Sequence, residues 1–349
     1  MRDVSDETLG AYTTLRIGGP ANRLVEVGDA AETVQAVRET DAAGFPLLVL
    51  AGGSNVVIAD AGFPGTTVLL RSTGATVHRS GDAVELTVAA GHPWDDLVAQ
   101  AVSEGWSGIE CLSGIPGSTG ATPIQNVGAY GQEVAETITA VRVYDRDTGA
   151  VEVWDPRQCR FGYRHSVFKH RDRWVVLDVS LRLGLGAQSG PIRYAELART
   201  LGVSVGETAP MGEVRDAVLG LRRGKGMVLD AADPDTYSVG SFFVNPVLDG
   251  AAYGELLHRC AGLGAPPAWP GEDGQVKTSA AWLIERAGFA KGYHRDGVGI
   301  SGKHTLALTN RGTGTAKALL ELAAEIRDGV RDRFGVTLRP EPVLVGTIL

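Results

Sequence analysis

GIPGSTGATPIQNVGAYG, residues 114–131, decides how the rest of the chain is read. Glycines at 114, 117, 120, 128 and 131 stand among small side chains, together with one amide pair, Gln125 and Asn126. Residues without a Cβ let backbone N–H groups come close to a flat or anionic ligand and permit positive φ. Such a stretch reads as a cradle, not a core strand. A second, shorter cradle, AGGSN at 51–55, follows the apolar run Leu47 to Leu50, where a strand would end. Two cradles in one chain fit a large ligand with a phosphate end and a planar end. Taken alone, either loop could be no more than a turn.

The 349 residues are too many for one ordinary core, so two or three domains are expected. With 44% hydrophobic and 21% charged residues the composition is that of a soluble globular protein. No run approaches the roughly 18 apolar residues that would cross a bilayer, so no membrane partner is expected. The opening MRDVSDETLGAY has no apolar h-region, which argues against a secretory signal and for a cytoplasmic location. The net charge of −8, with no long basic block, argues against a nucleic-acid partner. Cys111, Cys159 and Cys260 lie far apart without CxxC spacing and read as reduced structural thiols. His165 and His170 match no common zinc spacing, so no metal is expected.

Patterning supplies the elements. A helix is expected from Ala30 to Ala43 with Val34 and Val37 on one face, and another carries Trp94, Leu97, Val98, Ala101 and Val102. AVRVYD and AVEVW around RDTG read as a hairpin, and WVVLDVSLRL, 174–183, alternates with Val175, Leu177, Val179, Leu181 and Leu183 on one face. Pro210 opens a helix, and a domain boundary is expected near 222. Further on, Thr278 is the expected cap of a helix over 279–287, and a helix over 315–334 aligns Leu319, Leu322, Ala323, Ile326, Val330 and Phe334. Before it, RGTGTAK has the look of a dinucleotide-binding turn but lacks the third glycine and the acidic residue on a second strand, and reads as a decoy.

Four features suggest chemistry. Arg164 stands between aromatic residues in FGYRHSVFK, and its planar fork suits a carboxylate or phosphate. Ser241, after a glycine in GSFFVNP, could donate a proton or cap a turn. Glu341 is held between Pro340 and Pro342, catalytic or merely exposed. Tyr194 follows the glycine-containing stretch 184–191, as a lid residue or a packing one. GxSxG, P-loop and HExxH motifs are missing.

LRIGGPA (15–21), AGGSNVVIAD (51–60), the large cradle, FGYRHSVFK (161–169), GSFFVNP (240–246), SAAWLIERAG (279–288) and RPEP (339–342) occur in this order. In that respect the chain resembles the UDP-N-acetylenolpyruvoylglucosamine reductase family over nearly its whole length. The resemblance implies an α+β fold with a flavin site of the vanillyl-alcohol-oxidase type and a smaller α+β substrate domain. The implied divisions are 1–72 and 73–222 for FAD, with a lid loop near 184–200, and 223–336 for substrate, with 337–349 returning to the first. It implies non-covalent FAD, NADPH as co-substrate, UDP-N-acetylglucosamine enolpyruvate as substrate, and a monomer. Gly52, Gly53, Ser54 and Asn55 would cradle the pyrophosphate; Gly117, Thr122, Ile124, Gln125, Asn126 and Gly128 would lie along the isoalloxazine. Ser241 would be the general acid, with Arg164 and Glu341 stabilising an enol-like intermediate. Tyr194, Lys225 and Asn245 would bind substrate, Tyr194 and Lys225 at its phosphates.

Two departures stand out. The segment after Lys225, GMVLDAADPD, is longer than the compact family form, and His165 replaces a carboxylate common among relatives. Two other readings compete: a flavin oxidase or dehydrogenase of the same fold on another substrate, and a nucleotide-binding module without catalysis. The first commonly tethers FAD through a histidine near the first glycine loop, which AGGSN lacks; the second would be marked by loss of Ser241, Arg164 or Glu341, all present.

Overall fold

Parallel strands need a crossover, and the first part of the chain supplies one. The structure, a computed structural model, describes residues 1–4 and 7–349. It divides into two compact units, the first made of Met1–Glu7, Ala21–Gly53 and Phe63–Val228, the second of Thr8–Pro20, Ser54–Gly62 and Leu229–Leu349.

In the first unit the strands Ala21–Val27 and Leu47–Leu50 both run parallel to Phe63–Leu70. The helix Ala30–Ala42 makes the crossover; Asp29 caps it by accepting from Glu32 N at 2.8 Å, and Gly44 ends it at φ 70°. A second sheet, wholly antiparallel, takes the order Ala150–Trp154, Ile138–Asp145, Trp174–Leu185, Ala83–Ala89, Ala75–Ser80. The expected hairpin over 140–154 forms its edge.

The long central strand departs from simple alternation. Leu177 is an extra residue opposite the Arg142–Val143 step, a β-bulge that flips the faces. Val179, Leu181 and Leu183 therefore share a core with Val176, while Val175 and Leu177 pack with Val37 and Tyr144 instead. The single face expected of Val175 through Leu183 is two.

In the second unit an antiparallel sheet orders Ser238–Ser241, Ala307–Asn310, Val298–Ile300 and His294–Arg295. The helix Ala316–Phe334 packs its predicted stripe into that core, with Leu319, Leu322, Ala323, Ile326 and Val330 fully buried. Thr315 caps it, and the Asp60 carboxylate accepts from Ala316 N at 2.7 Å and Lys317 N at 3.0 Å. A carboxylate thus takes the place a phosphate would need, and RGTGTAK is a closed turn whose Gly312 and Gly314 N–H groups donate to Asn310. The shorter helix Ala280–Arg286 is capped by Ser279, not Thr278; Thr278 is buried and donates to Pro267 O at 2.9 Å. Val343–Val345 closes the chain parallel to Val56–Ile58. Among the described residues no helix is long and apolar enough to cross a membrane.

Truncating a fully buried side chain on the long helix tests this core. Leu322→Ala is expected to lower unfolding free energy by about 2–5 kcal/mol, read from urea denaturation.

Candidate active site

The two cradles meet where neither has a side chain. A Cβ built on Gly52 would lie 2.6 Å from Gly117 Cα, so only glycine lets these backbones approach. Gly117 sits at φ 117°, and Gly120 is pressed against Ala90, where an added Cβ would come within 2.5 Å. The large cradle is anchored at its start: Gly114 N donates to Asp95 Oδ1 at 2.6 Å, Trp94 N to Gly117 O at 3.0 Å, and Thr119 N to His92 O at 2.8 Å. Gly52 and Gly53 belong to the first unit, whereas Ser54 and Asn55 belong to the second.

FGYRHSVFK, read from sequence as a separate feature, proves to be a brace for the large cradle. Arg164, itself at φ 50°, donates from Nη2 to Gly128 O at 2.6 Å and from Nη1 to Asn126 O at 3.3 Å. Ser166 Oγ donates to Ile124 O at 2.5 Å. Asn126 takes φ 48°, a conformation its residue type tolerates, and its buried amide donates to Glu133 at 2.7 Å and Gly162 O at 3.1 Å while accepting from Ala135 N at 3.2 Å. That amide is used inside the protein, so the Asn126 side chain holds the cradle's shape. Thr122 is also buried and donates to Thr119 O at 2.8 Å, while Gln125 is half-buried.

Two buried polar atoms here have no protein partner, Ser118 Oγ in the large cradle and His92 Nε2 beside it. Buried polar groups are nearly always hydrogen-bonded, so these two fit a ligand supplying the missing partners. Sequence pattern alone does not distinguish Ser118, because a serine among glycines is equally compatible with a turn.

Tyr194 and Lys225 come together in the same unit. Tyr194, 45% exposed, meets Tyr130 edge-on at 5.5 Å between ring centroids. Lys225 Nζ lies 5.8 Å from the Tyr130 ring centroid and 2.7 Å from Glu196 Oε2. Burial works against the Lys225 charge, but the Glu196 hydrogen bond and the Tyr130 side chain outweigh it and hold the pKa above its ordinary value. Nothing in the sequence placed Glu196 or Tyr130 next to Lys225.

In the second unit Gly240, at φ 75°, lies within a register shift between Ser238 and Ser241, and Ser241 rejoins the ladder opposite Ala307. Ser241 Oγ lies 3.4 Å from His304 Nε2. RPEP runs along the next residues: Glu341 N donates to Phe242 O at 2.8 Å and Val244 N to Arg339 O at 3.1 Å. Glu341 is thereby fixed one residue beyond Ser241, and its neighbouring prolines remove competing conformations. Asn245 Oδ1 accepts from Ala280 N at 3.0 Å, so this residue also ties down the start of the Ala280–Arg286 helix. Cys111, Cys159 and Cys260 are free and buried, and burial pushes the thiols of Cys111 and Cys159 up to about 12.

The family model described as "FAD binding domain" matches residues 21–153, and "UDP-N-acetylenolpyruvoylglucosamine reductase, C-terminal domain" matches residues 233–345. The UDP-N-acetylenolpyruvoylglucosamine reductase of Salinispora arenicola (strain CNS-205) is 62% identical over 345 residues, 98% of this chain and 95% of the relative. The chain belongs to this reductase family. The reductase of Thermobifida fusca (strain YX) is 56% identical, over 98% of this chain and 97% of its own. Among solved structures, the reductase from Thermus caldophilus superposes with a TM-score of 0.66 at 27% identity, covering 99% of this chain and 98% of that one. The α+β flavin-binding fold expected from the resemblance is the fold observed.

Gly52→Ala is expected to yield a protein that has lost most of its bound flavin, measured as flavin absorbance per chain. Gly254→Ala, where an added Cβ meets nothing within 4 Å, should keep it. Asp95 gives a pH test. Burial raises its pKa, but the Arg215 fork at 2.7 and 2.9 Å and the Gly114 N–H more than offset this and hold it below the ordinary 3.8. The resulting stability is present above that value and lost as pH falls through the folded pKa. Asp95→Asn should therefore lower the urea midpoint at neutral pH and converge with the parent protein in acid.

Proposed function

We propose that this enzyme reduces UDP-N-acetylglucosamine enolpyruvate to UDP-N-acetylmuramate, with NADPH as hydride source, in peptidoglycan precursor synthesis. The reading is carried by near full-length likeness to reductases of that name. Flavin fits the residues present, because the Gly52 and Gly117 contact leaves no room for a Cβ and Ser118 Oγ and His92 Nε2 are buried without partners. Gly52, Gly53, Ser54 and Asn55 would hold the pyrophosphate of FAD, and Gly117, Thr122, Ile124, Gln125, Asn126 and Gly128 its ring system. Held there, FAD would supply the hydride-transfer chemistry that links NADPH to C3 of the enolpyruvyl group.

The chain's own residues manage the charge that results. Negative charge develops at C2 and its carboxylate, and Arg164 and Glu341 are assigned to stabilise and polarise that enol-like group. Ser241 is assigned as the acid that protonates C2. A serine hydroxyl is a weak acid, so it serves only against a base as strong as this carbanion. Tyr194 and Lys225 are assigned to the substrate phosphates and Asn245 to a further substrate contact. We retain the division into 1–72 and 73–222 for flavin and 223–336 for substrate, and propose a cytoplasmic monomer.

The deciding experiment is anaerobic. The yellow protein is bleached with one equivalent of NADPH, then mixed with the enolpyruvyl substrate. Return of the oxidised flavin band without oxygen is expected; bleaching that persists until air is admitted would assign a different electron acceptor and overturn the reading. In Ser241→Ala that return should slow by about 100- to 10,000-fold.

A further inference from the structure

A serine that gives its proton to a carbanion is left as an alkoxide, and must be reprotonated before it can act again. His304 is placed to do this, with Nε2 3.4 Å from Ser241 Oγ. No sequence motif singled it out; the contact joins residues 63 apart.

The loop that carries His304 is fixed on several sides. Ser301 Oγ accepts from Lys303 N at 3.0 Å and His304 N at 3.2 Å. Asp235 accepts from Gly302 N at 3.1 Å and pairs with Arg311 at 2.7 Å, and Lys303 Nζ pairs with Asp233 at 2.5 Å. Immediately after the histidine, Thr305 Oγ1 donates to Glu285 at 2.5 Å. Asp233 and Asp235 belong to the long segment after Lys225 that departs from the compact family form. Asp233 and Asp235 are structural here, because they tie the histidine's loop to the segment that leads into the strand Ser238–Ser241.

The charged side chains of this loop and its neighbours are engaged: Lys303 pairs with Asp233, Arg311 with Asp235, and Glu285 accepts from the Thr305 hydroxyl. Glu341, across the backbone from Phe242, has its own assignment to the substrate. We infer that His304 is a positioning residue acting through Ser241, orienting the hydroxyl and returning its proton, an inference that rests on the functional reading above. As the Ser241 O–H bond breaks and the C2–H bond forms, the O–H electron pair stays on Oγ. The alkoxide then takes the proton of the His304 imidazolium Nε2–H, and the neutral imidazole regains one from water. No oxidant or reductant is needed for these transfers.

The test uses the flavin-loaded enzyme in anaerobic stopped flow across pH, comparing the parent protein with His304→Ala and His304→Gln. Flavin content per chain and thermal midpoint serve as folding controls. Steady-state turnover, which needs the proton returned in every cycle, is expected to fall roughly 10- to 100-fold in His304→Ala, and first-turnover reoxidation to fall as well through loss of the hydroxyl's orientation. Substrate affinity should change far less, and added imidazole should recover part of the rate. His304→Gln, which keeps a hydrogen-bonding group that cannot titrate, should lose the decline in steady-state rate with rising pH that is expected of the parent protein. A readout independent of turnover is the His304 ring resonance in 13C-histidine-labelled protein, whose titration should shift in Ser241→Ala. Unchanged reoxidation in His304→Ala, or an unchanged pH profile in His304→Gln together with an unshifted resonance, would overturn the inference alone. A parent protein that the substrate fails to reoxidise would overturn the functional reading and this inference with it.

Discussion

Backbone against backbone, at Gly52 and Gly117, is the constraint on which the flavin unit depends. A contact made without side chains buries little apolar area, so it contributes almost nothing to its own stability. Its support comes from behind and from the side. Trp94, Leu97 and Val98 are buried beneath the start of the large cradle, and Gly120 is seated on Ala90 at the end of a sheet strand. From the side, Arg164 satisfies the carbonyls of Asn126 and Gly128, which a loop in positive φ would otherwise turn toward solvent or bury unpaired. The same guanidinium that suits an anionic substrate is therefore part of the scaffold.

That double use explains what could be read from the sequence and what could not. The cradles were legible because glycine has few reasons to cluster, and the long helix because Leu319 to Phe334 repeat at helical spacing. The flip of the Trp174–Leu185 strand was not legible, because a bulge needs only one unpaired residue and Leu177 looks like any other apolar position. Similarly, Thr278 and Ser279 are both capping residues by type; which one caps was settled by Thr278 being drawn into the core toward Pro267.

Side chains expected to face a ligand divide in the same way. Asn126, expected by resemblance to lie along the isoalloxazine, has its amide consumed by Glu133, Gly162 and Ala135, and it also tolerates the φ of 48° that the cradle requires. Ser118 drew no attention and is buried without a partner. Residue type indicates which groups can bond; only the fold determines which bonds are already made.

Lys225 illustrates the energetic side of that distinction. Its ammonium is held charged by Glu196 at 2.7 Å, so a diphosphate arriving there would have to take over an occupied cation. Both partners are about a third exposed, and exchanging such a pair for another anion costs little, because ion pairs near solvent are worth only ~0–1 kcal/mol. Under the proposed assignment, a diphosphate, with more charge than one carboxylate, takes over the lysine. On that assignment Glu196 keeps the lysine ionised and oriented until the diphosphate arrives, which costs less than leaving an unmatched, half-buried cation beside Tyr130.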